Sequence, residues 1–62
     1  MEFNVSTLDN QEQAQELEKT ILTSEPNADI NIDLNAQKVT INSEASSETF
    51  EHLIVASGHK VS

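Results

Sequence analysis

Cysteine is absent from this sequence of 62 residues, and so are arginine, tryptophan and tyrosine. Without cysteine the chain can form neither a disulfide nor a metal site held by thiolates. With only two aromatic residues it can hardly enclose a substrate, and no Ser–His–Asp or Cys–His arrangement is recognisable. The sequence therefore predicts that this protein is not an enzyme.

Positive charge is also scarce, because three lysines stand against eleven acidic residues and the net charge is −8. Nucleic acids and anionic membrane surfaces are disfavoured as partners, since binding them requires a basic face. The negative charge has two interpretations, which are simple solubility and attraction to a basic protein surface. Both remain open from the sequence.

Long apolar runs are missing as well. No stretch approaches the roughly 18 residues of a membrane span. Residues 1–13 lack the basic start and apolar core of a signal peptide. We therefore expect a soluble, cytoplasmic protein without membrane insertion, folded as a single domain over residues 1–62.

What the sequence does contain is alternation. Residues 29–34 and 38–42 alternate between apolar and polar side chains, which is typical of strands buried on one face. The short polar segment between them predicts an antiparallel hairpin. Residues 2–6 alternate in the same way and predict a first strand, while residues 60–62 leave room for a short last strand.

Two amphipathic stretches predict helices. Asp9 followed by Glu12 resembles a capping box, so the first helix should begin at about Asn10 and end before Pro26. The second should follow a serine cap and end at Gly58. This order predicts an α+β, ferredoxin-like βαββαβ sandwich, with a four-stranded antiparallel sheet of order 4-1-3-2 and both helices on one face. The expected core is Phe3, Val5, Leu17, Ile21, Ile30, Ile32, Val39, Ile41, Phe50 and Ile54.

Two tracts, at residues 30–41 and 56–61, match motifs of a known family. They resemble the heavy-metal-associated domain, the copper-chaperone family, and especially its cyanobacterial members. The tract INIDLNAQKVTI, residues 30–41, is similar to the family's VxVDLxxxKVTI hairpin. The tract ASGHKV, residues 56–61, is similar to the family's A-x-G-[YH]-x-V ending. The resemblance extends without a gap over residues 3–61 and implies the fold predicted above.

The family binds Cu(I), or sometimes Zn(II), through two thiolates of a C-x-x-C motif at the start of its first helix. The resemblance places Asn10 and Gln13 at those two positions, so the motif is lacking. Neutral carboxamides are poor ligands for a soft cation. Of the family's site positions only that of His59 is kept. The metal site therefore cannot be carried over, and no cofactor is expected.

The first functional hypothesis is a protein-interaction module related to metal trafficking. It would keep the family's docking surface without the cargo. The expected partner is another protein, such as a metal-transporter domain or a homologous chaperone, and the chain itself would be a monomer or weak dimer. In the resemblance, the docking surface corresponds to Leu8, Asp9, Asn10, Glu12, Gln13 and His59.

The alternative is a metal carrier for copper or zinc in which His59, Asp9 and Glu12 serve as non-thiolate ligands. Helix capping already explains the two carboxylates, and capping or packing beside its neighbours is the favoured explanation for His59. A third hypothesis is an oligomeric structural element that pairs through its second strand, although the charge of that strand opposes pairing.

Overall fold

A three-stranded antiparallel sheet forms one layer of the computed structural model, which describes all 62 residues, and two helices form the other layer. The strand order in the sheet is β1-β3-β2. The order of elements therefore agrees with the first five elements predicted from the sequence. These are β1 (Glu2–Asn4), α1 (Gln11–Ser24), β2 (Asp29–Asp33), β3 (Lys38–Asn42) and α2 (Ser47–Ala56).

The sheet registers place apolar residues opposite each other on the inner face. Phe3 of β1 lies opposite Val39 of β3, and Ile30 of β2 lies opposite Ile41 of β3. A slip of one residue would turn each of these side chains to the outer face, so burial fixes the register. The hairpin predicted from residues 29–42 is confirmed.

The predicted fourth strand is not confirmed. Residues 60–62 are outside the sheet, although the Ser62 N–H donates to the Asn4 carbonyl oxygen at 2.9 Å. β1 is also shorter than predicted, because it ends at Asn4. The physical reason is that a single backbone hydrogen bond joins this segment to β1, whereas a ladder requires a series of them.

The core cluster shows that both helices cover the same face of the sheet. It joins residues of both helices with the inward side chains of β1 and β3. Ile30 and Ile32, which we expected in this core, are only half-buried against it. Both β1 and β2 are edge strands, but the segment after α2 lies beside β1, where Ser62 bonds to Asn4, and no segment lies beside β2. The cluster consists of Phe3, Val5, Leu8, Leu17, Ile21, Val39, Ile41, Phe50 and Ile54.

Both helices are also too short or too polar for a bilayer. Neither of them could cross a membrane.

Candidate functional site

The N-terminus of α1 is capped by Asn10 together with Gln13, the two residues that the resemblance places at the family's thiolate positions. Asn10 has extended backbone, and its Oδ1 accepts from the Gln13 N–H at 2.9 Å. In return, Gln13 Oε1 accepts from the Asp9 N–H at 2.7 Å. Backbone donors in the first turn have no partner inside a helix, and these two bonds satisfy two donors at this helix start.

This cap corrects the prediction from sequence by one residue. We expected Asp9 to cap the helix with Glu12 as its partner, whereas the structure uses Asn10 with Gln13. Asn and Asp cap helices about equally well, so residue type alone could not choose between them. The choice follows from the backbone, which is extended at Asn10 and helical from Gln11.

The C-terminus of α2 brings His59 to this region. Gly58 has φ +92°, and its N–H donates to the Val55 carbonyl at 3.0 Å. The His59 N–H donates to the Ile54 carbonyl at 3.2 Å. This pair of bonds is a Schellman motif, in which a left-handed glycine ends the helix and reverses the chain. The predicted end of the second helix at Gly58 is thereby confirmed.

Thr7 connects this reversed segment to the loop that precedes α1. Its Oγ1 lies 2.8 Å from His59 Nδ1 and accepts from the Lys60 N–H at 3.1 Å. A threonine hydroxyl can donate one hydrogen and accept others, so it satisfies His59 in either tautomer. The contact fixes the orientation of the imidazole ring.

A third connection comes from the turn between β2 and β3. The Gln37 side-chain amide donates to the Ser6 carbonyl at 2.9 Å and to the Leu8 carbonyl at 3.1 Å. The Leu8 side chain is 1% exposed and packs in the core beneath. Residues 6–10, called here the α1 loop, are therefore anchored to the core by the Leu8 side chain and to the β2–β3 turn by Gln37.

The structure separates the predicted site residues into three groups. Asp9, Asn10 and Glu12 are exposed, Gln13 and His59 are half-buried, and Leu8 is buried. Leu8 therefore supports the α1 loop from the core and offers no surface to a partner in this conformation.

The three predicted ligands are not assembled into a metal site. No group of three or more His, Asp or Glu side chains is placed to hold a metal ion. Neither Asp9 nor Glu12 forms an ion pair with His59, since the ion pair present is Lys38–Glu2 at 3.5 Å. What the fold brings to the imidazole is the hydroxyl of Thr7.

From the sequence, Thr7 was expected only as a turn residue at the edge of the docking region, and Gln37 was assigned no role. Thr7 lies 52 residues from His59, and Gln37 lies 29 residues from Leu8. Neither residue belongs to an apolar stripe or a capping pattern. No local signal in the sequence identifies them.

Comparison with known proteins gives structural neighbours only. No protein-family model and no curated protein sequence matches this chain. Among solved structures, the copper chaperone Atx1 from Synechocystis PCC6803 superposes with a TM-score of 0.95 at 26% identity, over 100% of this chain and 98% of that chain. A cyanobacterial copper metallochaperone, ScAtx1, superposes with a TM-score of 0.82 at 27% identity, over 100% and 97%.

A third structure, solved in a study of crosstalk between Cu(I) and Zn(II) homeostasis, has a TM-score of 0.95 at 29% identity, over 100% and 98%. The structural neighbours are thus Atx1-like copper chaperones, and the chain has their heavy-metal-associated, ferredoxin-like fold. The resemblance inferred from residues 30–41 and 56–61 is confirmed. The absence of cysteine means that the chain has this fold without the family's thiolate pair.

Proposed function

We propose that this chain is a non-enzymatic, cytoplasmic protein-interaction module related to metal trafficking. It docks like a copper chaperone but carries no thiolate-bound cargo. One observation carries the proposal: in the fold of a copper chaperone, the two residues that the resemblance places at the thiolate positions cap the helix. Asn10 and Gln13 each commit a side-chain oxygen to a backbone N–H at this helix start.

These bonds supply a reason for the loop to keep its shape without metal. In a metal carrier, two thiolates and a bound cation can close the loop. Here the reciprocal bonds of Asn10 and Gln13, at 2.9 and 2.7 Å, close the same segment. A soft cation gains little by displacing them, because amide oxygens carry no charge and are hard ligands.

The docking surface we propose consists of the exposed start of α1 and the neighbouring imidazole. Asp9 and Glu12 give it negative charge, while Asn10, Gln13 and His59 add hydrogen-bonding groups. A partner with a basic face complements this surface and the net charge of −8. The structural neighbours of this chain are copper chaperones. We therefore propose that the partner is a metal-transporter domain or a homologous chaperone.

The test is a cross-linking co-purification with charge-reversed variants of the tagged protein. We expect one basic-faced partner to be captured by the unaltered chain and lost from Asp9→Lys with Glu12→Lys. The matched control is Glu48→Lys with Glu51→Lys on α2, which makes the same change in net charge elsewhere. Equal loss from both pairs would show that overall charge, and not this surface, governs association.

Metal carriage through His59 is the second candidate function. Asp9 and Glu12, which are not assembled around the imidazole, would have to move to become further ligands. The Thr7 contact at 2.8 Å favours it, because metal-binding imidazoles are usually oriented by a hydrogen bond at their other nitrogen. Zn(II) or Cu(II) is the appropriate cargo for imidazole and carboxylate ligands.

Calorimetric titration with Zn(II) and with Cu(II) tests this candidate. Binding should disappear in His59→Ala and persist in His52→Ala, a control that removes the other histidine. Absence of binding, or binding unaffected by His59→Ala, would contradict the second candidate and leave the first in place.

A further inference from the structure

Gln37 bonds through its side-chain amide nitrogen and through both of its backbone polar groups, and most of its partners belong to the chain between β1 and α1. Its side-chain N–H groups donate to the carbonyls of Ser6 and Leu8, at 2.9 and 3.1 Å. Its backbone carbonyl accepts from the Val5 N–H at 2.8 Å. Its backbone N–H donates to Leu34 within its own turn. One residue of a distant hairpin thus bonds to Val5, which precedes the α1 loop, and to two residues of the loop itself.

The backbone at Gln37 is itself unusual. Its φ of +54° lies in the left-handed region, and it is the one residue other than glycine in this chain with positive φ. Glycine is the default residue in this conformation, because a Cβ atom makes it strained. A glutamine at this position carries backbone strain that glycine would avoid. The two hydrogen bonds from its side chain to the α1 loop offset that strain.

The two carbonyls that Gln37 holds are those on either side of Thr7. Thr7 in turn contacts His59 Nδ1 and the Lys60 N–H. The two hydrogen bonds from the Gln37 side chain therefore fix the short segment from which the Thr7 hydroxyl reaches the imidazole. Any movement of residues 6–8 would change the distance between Thr7 and His59 and the approach to the Asn10 cap.

We propose that Gln37 is the positioning residue of the α1 loop, which makes the turn between β2 and β3 a supporting part of the docking site. The loop is held in its docking shape by the two side-chain donors of Gln37. The link to docking rests on the proposed function, whereas the control of loop structure does not. Gln37 itself need not touch a partner.

Three variants separate the donors from the backbone. Gln37→Met keeps the length of the side chain and removes both donors. Gln37→Lys shares the backbone strain but restores N–H donors at a reach sufficient for the same carbonyls. Gln37→Gly removes the side chain and the strain together, so it keeps the loop test available if Gln37→Met folds poorly.

The first measurement is amide hydrogen exchange by NMR under native conditions, at Leu8, Asp9 and Lys60. These N–H groups are bonded to Val5, Gln13 and Thr7 in the loop network. We expect Gln37→Met and Gln37→Gly to speed their exchange about tenfold, as the loss of one or two hydrogen bonds implies. Gln37→Lys should stay within about threefold of the unaltered protein by the same reasoning.

The Thr49 amide on α2 serves as the internal reference, because its cap is local. Faster exchange at the loop with an unchanged reference supports the proposal. A uniform increase at all four amides would show a general loss of stability and would overturn it. So would unchanged exchange in the loop of Gln37→Met or Gln37→Gly.

The second measurement uses copper as a probe of loop shape. Asn10→Cys with Gln13→Cys introduces a thiolate pair, and the Cu(I) affinity is then compared with and without Gln37→Met. We expect about tenfold weaker binding with Gln37→Met and recovery with Gln37→Lys. Equal affinity in all three would overturn the positioning role.

The two measurements distinguish failures of the two proposals. A folded double-cysteine variant that takes up no copper contradicts the inferred loop register and with it the proposed function. The exchange data still decide the role of Gln37 in that case. Conversely, unchanged amide exchange in the loop would contradict the positioning role of Gln37 and would leave the docking proposal intact.

Discussion

The two helices begin in different ways, and the difference separates a helix start that serves only its helix from one built into a site. At α2, Ser46 Oγ accepts from the Thr49 N–H at 3.3 Å, and the two hydroxyls lie 3.0 Å apart. All of these contacts are local. At α1, the Asn10–Gln13 cap adjoins a loop that is also bonded to Gln37 and His59, from elsewhere in the chain.

This contrast shows that long-range hydrogen bonds are found at the start of α1 and not at the start of α2. A local cap satisfies backbone donors and ends there. The α1 loop is fixed by contacts between residues 29 to 53 positions apart, and these form only when the whole fold is in place. Such contacts restrain the segment, as the preorganised docking surface that we propose requires.

The largest expected effect comes from placing the same pair of thiolates at each helix start. Asn10→Cys with Gln13→Cys should gain one equivalent of Cu(I) that resists a competing chelator, because a helix N-terminus favours thiolates and His59 lies beside the loop. Either single variant should gain little.

The control is Ser46→Cys with Thr49→Cys, which has the same spacing at the start of α2. We expect its copper to be lost to the chelator, since no distant residue shapes that loop. Competition titration monitored by chelator absorbance gives both stoichiometries. Equal retention by the two pairs would mean that spacing alone suffices, and the distinction between the helix starts would fail.

Leu8→Ala should produce the second largest effect, because the side chain beneath the α1 loop is 1% exposed. Truncating a buried leucine costs about 2–5 kcal/mol of unfolding free energy, a large part of the stability of so small a domain. Val55→Ala, at a side chain that is 55% exposed, should change it by less than about 0.5 kcal/mol. Urea unfolding followed by circular dichroism measures both. A small loss for Leu8→Ala would place this side chain outside the core.

Removal of the two caps gives a smaller and more nearly equal effect. Asn10→Ala and Ser46→Ala should each lower the unfolding free energy by about 1 kcal/mol. The two variants should differ in how far from the mutated residue the NMR signals change. Asn10→Ala should shift NMR signals of Thr7 and His59 as well as of α1, whereas Ser46→Ala should disturb only the start of α2. Changes confined to the helix in both variants would show that the α1 cap is as local as the other.

Thr7→Val should give the smallest effect on stability, about 1 kcal/mol or less, because it removes a hydroxyl from a partly exposed network. The informative signal is the imidazole of His59, whose nitrogen shifts should change when the partner of Nδ1 is lost. Thr23→Val is the matched control, since that hydroxyl bonds only to the Lys19 carbonyl in its own helix. Unaltered His59 signals in Thr7→Val would rule out the contact in solution.

Alternation and capping patterns determined much of the fold from the sequence. The strand positions at residues 29–33 and 38–42 follow from period-two burial, and Gly58 ends α2 because left-handed backbone favours glycine. The core prediction included Ile30 and Ile32, which the structure leaves half-buried. Alternation shows which side of a strand is apolar, but only the packing of other segments against the strand decides how far that side is covered.

The candidate site could be predicted only in outline. The resemblance located its positions at Asn10, Gln13 and His59, and the cap was predicted one residue too early because Asp and Asn are equally good capping residues. Thr7 and Gln37 left no local trace. Their hydrogen bonds depend on the distance between residues far apart in the chain, which no periodic pattern encodes.

The sequence by itself determined the fold, the negative charge and the lack of thiolates, since hydrophobic period, net charge and residue type are local properties of the chain. The tertiary structure alone decided that Leu8 is buried, that Thr7 meets His59, and that Gln37 holds the α1 loop. The physical reason is that packing the sheet against the helices sets these distances. A hydrogen bond forms only where two groups are brought within about 3 Å of each other.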